Sequence, residues 1–427
     1  MEQLFIPLQK KNMQHLIIRN IGPIEAVELE LNKINIIMGP QSSGKSTIAK
    51  IISYCLWIEK NVCLFRNSLD IEINFKNRLE EFHHLNGYFR NESYIKYNSD
   101  YVCITYNPQE PIACTIVKKD RIKNYDYKRA KVIYIPAERN LIAVPGWTSF
   151  NLPNDNLKSY TVDWGFTRRL FTQESPLQIK HLDVNYYFDD KNTKDFIQND
   201  GVETPLTSSS SGIQTSTPLY LLQKVFCQYN KELAKNNSFE DSSTLEAVYQ
   251  YFHFATARRL EHDIPKGEYF WYKGKYCIVE PEMKEKAIEV LDNYTEIQRV
   301  QSVIEEPELN LFPETQQKLV YELISDATNS ENQITITTHS PYILFALNNC
   351  MLGGLVRNNI PEEDRPTFES YPSWIDPKLV SVYEIQDRTI RRIQDVDGII
   401  EDNYLNQAYK DNINEYVGLL NYYDDEK

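Results

Sequence analysis

The stretch Ile34–Met38, followed by Gly39-Pro40-Gln41-Ser42-Ser43-Gly44-Lys45-Ser46, constrains this chain more than any other. A short apolar strand runs into a turn that two glycines make feasible, and a helical apolar pattern starts at about Lys45. Every fixed position of G-x-x-x-x-G-K-[ST] is filled, and the strand–loop–helix context is the one in which that pattern has physical meaning. In such a loop the backbone N–H groups turn toward an anion, and the helix N-terminus adds its positive dipole end. The prediction is a cradle for the phosphates of ATP built from Gly39, Pro40, Gln41, Ser42, Ser43, Gly44, Lys45, Ser46 and Thr47. Lys45 would reach the β- and γ-phosphates, and Ser46 would hold Mg²⁺.

Two later strands complete a site of this kind. The run Val300–Ile304 ends in Glu305-Glu306-Pro307-Glu308, which places carboxylates at the carboxyl end of a sheet strand, where α/β proteins bind ligands. By position, Glu305 is assigned to the metal, and Glu306 to the water that it orients or deprotonates. After a helix from about Glu314, the strand Gln333–Thr337 leads into Thr338-His339-Ser340-Pro341. There His339 would donate to the γ-phosphate and sense its loss. The predicted catalytic set is Lys45, Glu306 and His339.

Elsewhere the pattern is coarser. Strands are expected at Leu16–Arg19 and Ile24–Leu31 around a turn at Asn20–Pro23, and again at Tyr101–Tyr106, Ile112–Val117 and Val132–Ile135. Asn151–Asn156 and Asp189–Thr204 read as loops, and Leu219–Leu233 and Thr244–Leu260 as helices. Val380–Gln386 and Thr389–Gln394 suggest a hairpin. Tyr404–Leu420 carries a helical stripe of Leu405, Tyr409, Ile413, Tyr416 and Leu420, read as packing against its own domain. The fold class is α/β. One domain, 1–427, is expected: an N-terminal lobe with the phosphate loop (1–140), a lobe with insertion (141–300) and a C-terminal part of the core (301–427).

A net charge of −14 argues against a surface devoted to nucleic acid. Against that average, Lys118, Lys119, Arg121, Lys123, Lys128, Arg129 and Lys131 cluster around Tyr125 and Tyr127. Residues 118–131 are therefore either a solvated charged hairpin or a local nucleic-acid contact with stacking tyrosines. No apolar stretch approaches the roughly 18 residues of a membrane span. Met1–Lys11 shows no signal-peptide pattern, so a cytoplasmic protein is expected. The seven cysteines lie far apart with no C-x-x-C pair and read as reduced core residues.

The order of these motifs resembles the ABC-type ATPase superfamily, in its RecF/SMC/OLD-like branch. The residues that carry the resemblance are Leu16-Ile17-Ile18-Arg19-Asn20, the phosphate loop, Ile304–Glu308 and Thr337–Pro341. It implies an ABC-type P-loop ATPase head with a mostly parallel core sheet, an antiparallel N-terminal lobe and a helical insertion. It also implies a signature motif that completes the ATP site of an opposing subunit. Ser209-Ser210-Ser211-Gly212-Ile213-Gln214 is the candidate, with Ser211, Gly212 and Gln214 at the nucleotide of the other copy. Ile213 replaces the family's second glycine, Glu305 stands where Asp is usual, and the span from Gln214 to Glu305 is far longer than in transporter domains.

Tyr134-Ile135-Pro136-Ala137-Glu138-Arg139-Asn140 resembles a segment of the small AAA15/AAA21-like ATPases of bacterial anti-phage systems of Septu and PARIS type. It would take the place of the Q-loop and give Glu138 or Arg139 a coupling role. The implied function is an ATP-hydrolysing regulatory subunit that forms a homodimer or higher homo-oligomer through ATP and controls a separate effector protein, a nuclease. The OLD-type Toprim nuclease has no room after His339. The alternatives are a RecF-like repair ATPase that binds DNA and a nucleotide-gated scaffold without catalysis.

Overall fold

The computed structural model describes residues 14–65, 68–123, 126–228, 268–272, 275–279, 284–328 and 331–423. The helix expected at Thr244–Leu260, the end of the one expected at Leu219–Leu233, Met1–Lys11 and Tyr125 lie outside the described residues.

Strands β1 (Gln14–Ile21) and β2 (Ile24–Leu31) form an antiparallel hairpin whose alternating apolar residues face one core. Next, β3 (Ile34–Met38) is buried along its whole length and leads into α1 (Lys45–Phe65), a helix buried on most sides. Then come α2 (Leu69–His83), β4 (Phe89–Asn98), β5 (Val102–Tyr106), β6 (Cys114–Lys118), the single turn α3 (Asp120–Lys123) and β7 (Ala130–Ile135). After α4 (Asn156–Thr167), capped by the Asp155 carboxylate on the Lys158 N–H, a small antiparallel sheet forms from β8 (Leu177–Ile179), β9 (Val184–Asp189), β10 (Lys194–Asn199) and β11 (Val202–Pro205). The chain continues through α5 (Ser211–Gln228), the hairpin β12 (Glu268–Tyr272) and β13 (Lys275–Val279), and α6 (Lys284–Thr295). It ends with β14 (Arg299–Glu305), α7 (Pro313–Thr328), β15 (Gln333–Thr338), α8 (Pro341–Val356), β16 (Val380–Gln386), β17 (Thr389–Arg392) and α9 (Tyr404–Leu420).

One eleven-stranded sheet, in the order β6-β5-β4-β1-β2-β17-β16-β3-β15-β14-β7, organises the molecule. From β16 to β7 the neighbours are all parallel, and from β6 to β2 all antiparallel. This is the α/β class expected, with a parallel core and an antiparallel N-terminal lobe. The halves meet at β17, which pairs with β2 at a single position, Thr389↔Ala26. Both faces of the core are covered. Ile37 faces a hydrophobic cluster with α1, α2 and α6, whereas Ile34, Ile36 and Met38 face another with α4, α5, α7 and α8. That two-sided burial explains why the core strands read as apolar runs rather than alternating ones.

Two expectations change. Asp189–Thr204 is not a loop: β9, β10 and β11 pair through it, and Asp200-Gly201, both at positive φ, makes the two-residue turn between Asn199 and Val202. The stripe of α9 packs against its own domain only at its start, through Leu405: no residue of this helix is buried, and Tyr409 and Tyr416 are each more than half exposed. Five of the seven basic residues at 118–131 are bonded within the molecule, Arg121 and Lys128 through exposed side chains, which favours the solvated charged hairpin of the two readings. Arg121 bonds Asp100 and Asp126, Lys128 bonds Glu331 at 2.7 Å, and Lys131 bonds Asp163 at 2.8 Å. Lys119 donates to the Ser99 carbonyl, and buried Arg129 donates to that of Thr295. Tyr127 is fully buried and cannot stack on a base. Cys55, Cys63, Cys114 and Cys350 are buried free thiols, as expected. Among the described residues no helix is long and apolar enough to cross a membrane.

Candidate functional site

Register alone brings the predicted residues together. In the parallel core Met38 lies beside Thr338, and Thr337 beside Glu305, so the residues that follow β3, β15 and β14 emerge at one edge of the sheet. A cavity of about 410 Å³ opens there, lined by Gln41–Thr47, Glu306, His339, Pro23 and Tyr88.

The loop is shaped by close approach. A Cβ on Gly39 would stand 2.9 Å from Ser43 Oγ and 3.0 Å from Ile385 Cβ. Gly44 takes φ +107°, and a Cβ there would meet Ile24 Cγ1 at 2.9 Å. Ser42, at φ +62°, is one of few non-glycine residues in the left-handed region. Lys45 is buried at the start of α1 and donates from Nζ to the carbonyls of Gly39 (2.8 Å) and Pro40 (2.7 Å). Burial pulls its pKa down to about 8, against the opposing pull of Glu306, Glu308 and Glu305.

The acidic turn is built differently. Glu306 sits at φ +44°, its N–H donating to the Thr337 carbonyl at 2.9 Å, and its Oε1 lies 2.8 Å from His339 Nε2. Glu308 is buried behind this pair and accepts from Thr338 Oγ1 and the His339 N–H, both at 2.7 Å. Burial raises its carboxyl above the usual range, and those two donors oppose the rise. Glu305 is buried as well, and burial pushes its carboxyl up against the charge of Lys50 and the Ser46 hydroxyl. Its Oε1 is sealed from solvent without a well-formed hydrogen bond. An orphaned carboxylate oxygen beside the Ser46 hydroxyl suits Mg²⁺, which takes one or two protein oxygens and completes its shell with phosphate and water. Ser46 and Glu305 therefore fit the metal role assigned to them.

Arg139 ties the site to the rest of the molecule. It lies at the end of β7 with its side chain completely enclosed. The guanidinium donates to the carbonyls of Glu305 (2.7 Å), Glu306 (2.6 Å), Pro136 (3.2 Å) and Thr215 of α5 (3.0 Å). Glu138 is exposed. The first turn of α5 carries Ser211, Gly212 and Gln214, which do not line the phosphate-loop cavity of their own chain. Ser211 is exposed, and Gln214 Nε2 donates to the carbonyls of Leu206 and Thr207. Gly212 rests on the acidic turn so closely that a Cβ would come within 2.7 Å of the Asn310 carbonyl.

Tyr88, Pro23 and Lys50 carried no sequence signal, because each reaches the site only through tertiary packing. Glu308 stood in the acidic motif, but nothing there separates a buried brace from a solvated carboxylate.

Residues 278–344 match the AAA_15 family, an AAA ATPase domain. The matched stretch contains Glu305, Glu306 and His339. No curated protein matches the chain. Among solved structures, the chain is similar to the SMC head domain from Thermotoga maritima at 8% identity and TM-score 0.37, over 90% of this chain and 98% of that one. It is similar at the same identity and TM-score to the Pyrococcus furiosus Smc head domain bound to the C-terminal domain of ScpA, over 90% and 96%. For the recombination mediator protein RecF of the RecFOR pathway the identity is 10% and the TM-score 0.31, over 90% and 99%.

Proposed function

We propose that this chain binds ATP in the loop Gly39–Thr47 and hydrolyses it in an assembly of two or more copies. One observation carries the reading: strand register delivers Lys45, Glu306 and His339 to a single cavity, with Glu306 and His339 2.8 Å apart. Lys45 holds the β- and γ-phosphates. Glu306 orients a water on the γ-phosphorus and takes its proton as the new P–O bond forms and the bond to the β-bridging oxygen breaks. His339 donates to the γ-phosphate, held in place by Glu306 on its ring and Glu308 on its backbone. Ser46 and Glu305 hold Mg²⁺, which supplies charge neutralisation on the phosphates when bound.

The second half of the site comes from the partner copy's Ser211, Gly212 and Gln214. Their place at the start of a long helix, outside their own cavity and with Ser211 exposed, supports that arrangement. Arg139 performs the coupling, because one side chain grips both the acidic turn and α5. The assembly works in the cytoplasm as a regulatory subunit in anti-phage defence, holding or releasing a separate effector nuclease. The resemblance of Tyr134–Asn140 to such ATPases supports this, as do the uncovered apolar faces of α8 and α9. The DNA-binding alternative loses its main support with the engaged side chains of 118–131.

Glu306→Gln should lower phosphate release by roughly 10²-fold or more while retaining ATP, and light scattering should show the ATP-bound protein held in its assembled state. Release at the wild-type rate would overturn the catalytic assignment. An ATP-bound Glu306→Gln protein with the apo assembly state would overturn the assembly.

A further inference from the structure

A second cavity, of about 390 Å³, shares no lining residue with the first. It opens beside α1 about two turns beyond Ser46, between that helix, the end of α2, β7 and the loop before α4. Its volume is that of a small-molecule site rather than a packing defect. Five rings line it: Tyr54, Trp57, Phe82, His83 and Tyr134. Tyr54 and Trp57 lie nearly parallel, at 10° with centroids 5.8 Å apart. His83 stands edge-on to Phe82 and to Tyr134. Together they make a slot for a flat ring system.

The slot has polar fittings, and the protein itself leaves the most buried of them unused. His83 is 1% exposed, yet its Nδ1 has no hydrogen-bond partner. Burial, with Lys50 adding to it, pulls its pKa down to about 3, so the ring is neutral and offers one donor and one acceptor. Ser53, Asn154 and Ser159 add hydroxyl and amide groups to the wall, and Arg78 and Glu81 add charge of both signs. An aliphatic ligand would leave His83 Nδ1 unpaired in a desolvated position. A ring bearing its own nitrogens and exocyclic groups would satisfy it while stacking on Trp57.

We propose that this cavity is a second ligand site, for the base of a nucleoside, and that its occupancy acts on ATP hydrolysis through Tyr134. The second part rests on the ATPase reading above. Its path is short: β7 lies beside β14 with Tyr134 opposite Val303 and Ile135 opposite Ile304, and the Tyr134 hydroxyl lies against the Glu305 carboxylate. A base seated on the Tyr134 ring touches the residue whose hydroxyl lies against the metal-side carboxylate.

The test separates binding from turnover. Lys45→Ala protein, with its phosphate loop disabled, is titrated with adenosine, guanosine, cytidine and uridine by calorimetry and saturation-transfer NMR. At least one should bind below about 1 mM. Its binding should weaken about tenfold or more in Trp57→Ala and in His83→Leu, as expected for loss of a base–aromatic stack. Trp57→Phe, which keeps a ring, should weaken it less, and thermal unfolding would verify that each variant is folded. In the chain with intact Lys45, the same nucleoside should change the rate of phosphate release about threefold or more, and Tyr134→Phe should bind it yet lose that response.

No binding by any of the four, or binding indifferent to Trp57 and His83, overturns the site. Equal affinity for N-acetyl-tryptophanamide overturns the nucleoside in favour of an aromatic side chain of a partner protein. Higher turnover in Trp57→Ala without any nucleoside means that the chain fills its own cavity, which also overturns the proposal. Nucleoside binding to a protein that never releases phosphate would sink the ATPase reading and leave the site standing.

Discussion

The phosphate loop and the acidic turn both end buried strands of one sheet, yet their backbones are held in opposite ways. The loop at Gly39–Thr47 has its shape written into its own residues: glycines admit the close approach of Ile385 at 39 and of Ile24 at 44, and the lysine returns to the carbonyls of its own turn. The turn at Glu305–Glu308 puts a glutamate where the backbone would prefer glycine, and distant residues hold it there. Arg139 grips two of its carbonyls, and Thr337 accepts its N–H. The first element can be specified by eight adjacent letters, whereas the second exists only once the sheet has formed.

The largest effect that would break this contrast is at Arg139. Arg139→Leu removes a fully enclosed guanidinium and the four hydrogen bonds it donates, so a loss of about 3 kcal/mol or more is expected. Arg139→Lys keeps the charge without the fork, and should retain most of the fold while phosphate release falls about 10²-fold. Chemical denaturation and steady-state turnover would check both. A variant that unfolds normally and turns over normally would show that the acidic turn supports itself.

Gly44→Ala probes the other side. At φ +107° with a neighbour at 2.9 Å, an added methyl should cost about 1–3 kcal/mol and weaken ATP binding about tenfold. Calorimetry should show the affinity loss without any change in the Arg139 contacts.

A smaller, signed effect sits at Glu306. Replacing it with Gly relieves the left-handed backbone and replacing it with Ala does not, so the Gly variant should be the more stable of the two by about 1 kcal/mol. Both should have lost turnover. Equal stabilities in denaturant titration would mean that the positive φ stores no strain.

The smallest effect is the pH dependence of Lys45. Its folded pKa, about 8, lies below the ordinary lysine value of 10.5, so between those values the unfolded chain binds more protons and stability rises with pH. Below the folded value the penalty is fully present. After solvent screening, a gain of about 1 kcal/mol from pH 8 to above 10 is expected, visible as the difference in denaturation midpoint between wild type and Lys45→Met.

Legibility follows the same division. Ile34–Met38, Val300–Ile304 and Gln333–Thr337 were readable because strands buried on both faces leave apolar runs, and register then put their ends together without further information. Glu305, Glu306 and His339 follow from that, since each continues such a strand. Asp189–Thr204 misled because a small, half-solvated sheet is polar, although Asp200-Gly201 carried a hairpin signal. The stripe of α9 was correctly placed on a helix, but periodicity reports an apolar face and not what covers it. The basic run at 118–131 was real as composition, yet its partners Asp100, Asp163 and Glu331 lie elsewhere in the chain. Tyr88 and the cavity around His83 had no local signature at all.

The single pairing of Thr389 with Ala26 deserves a mechanical reading. Nine of the ten neighbour pairs in the sheet are laced by ladders of several rungs, and the tenth, β17 with β2, by one. Pro23 and Tyr88 belong to the antiparallel half, while Lys45, Glu306 and His339 belong to the parallel half. The phosphate-loop cavity therefore straddles the sheet's thinnest seam. A molecule seated there acts as a rivet across it, and its departure leaves the two plates joined by one rung, the side-chain bonds of Tyr383 to Glu30 and of Arg388 to Pro23, and the packing of α1.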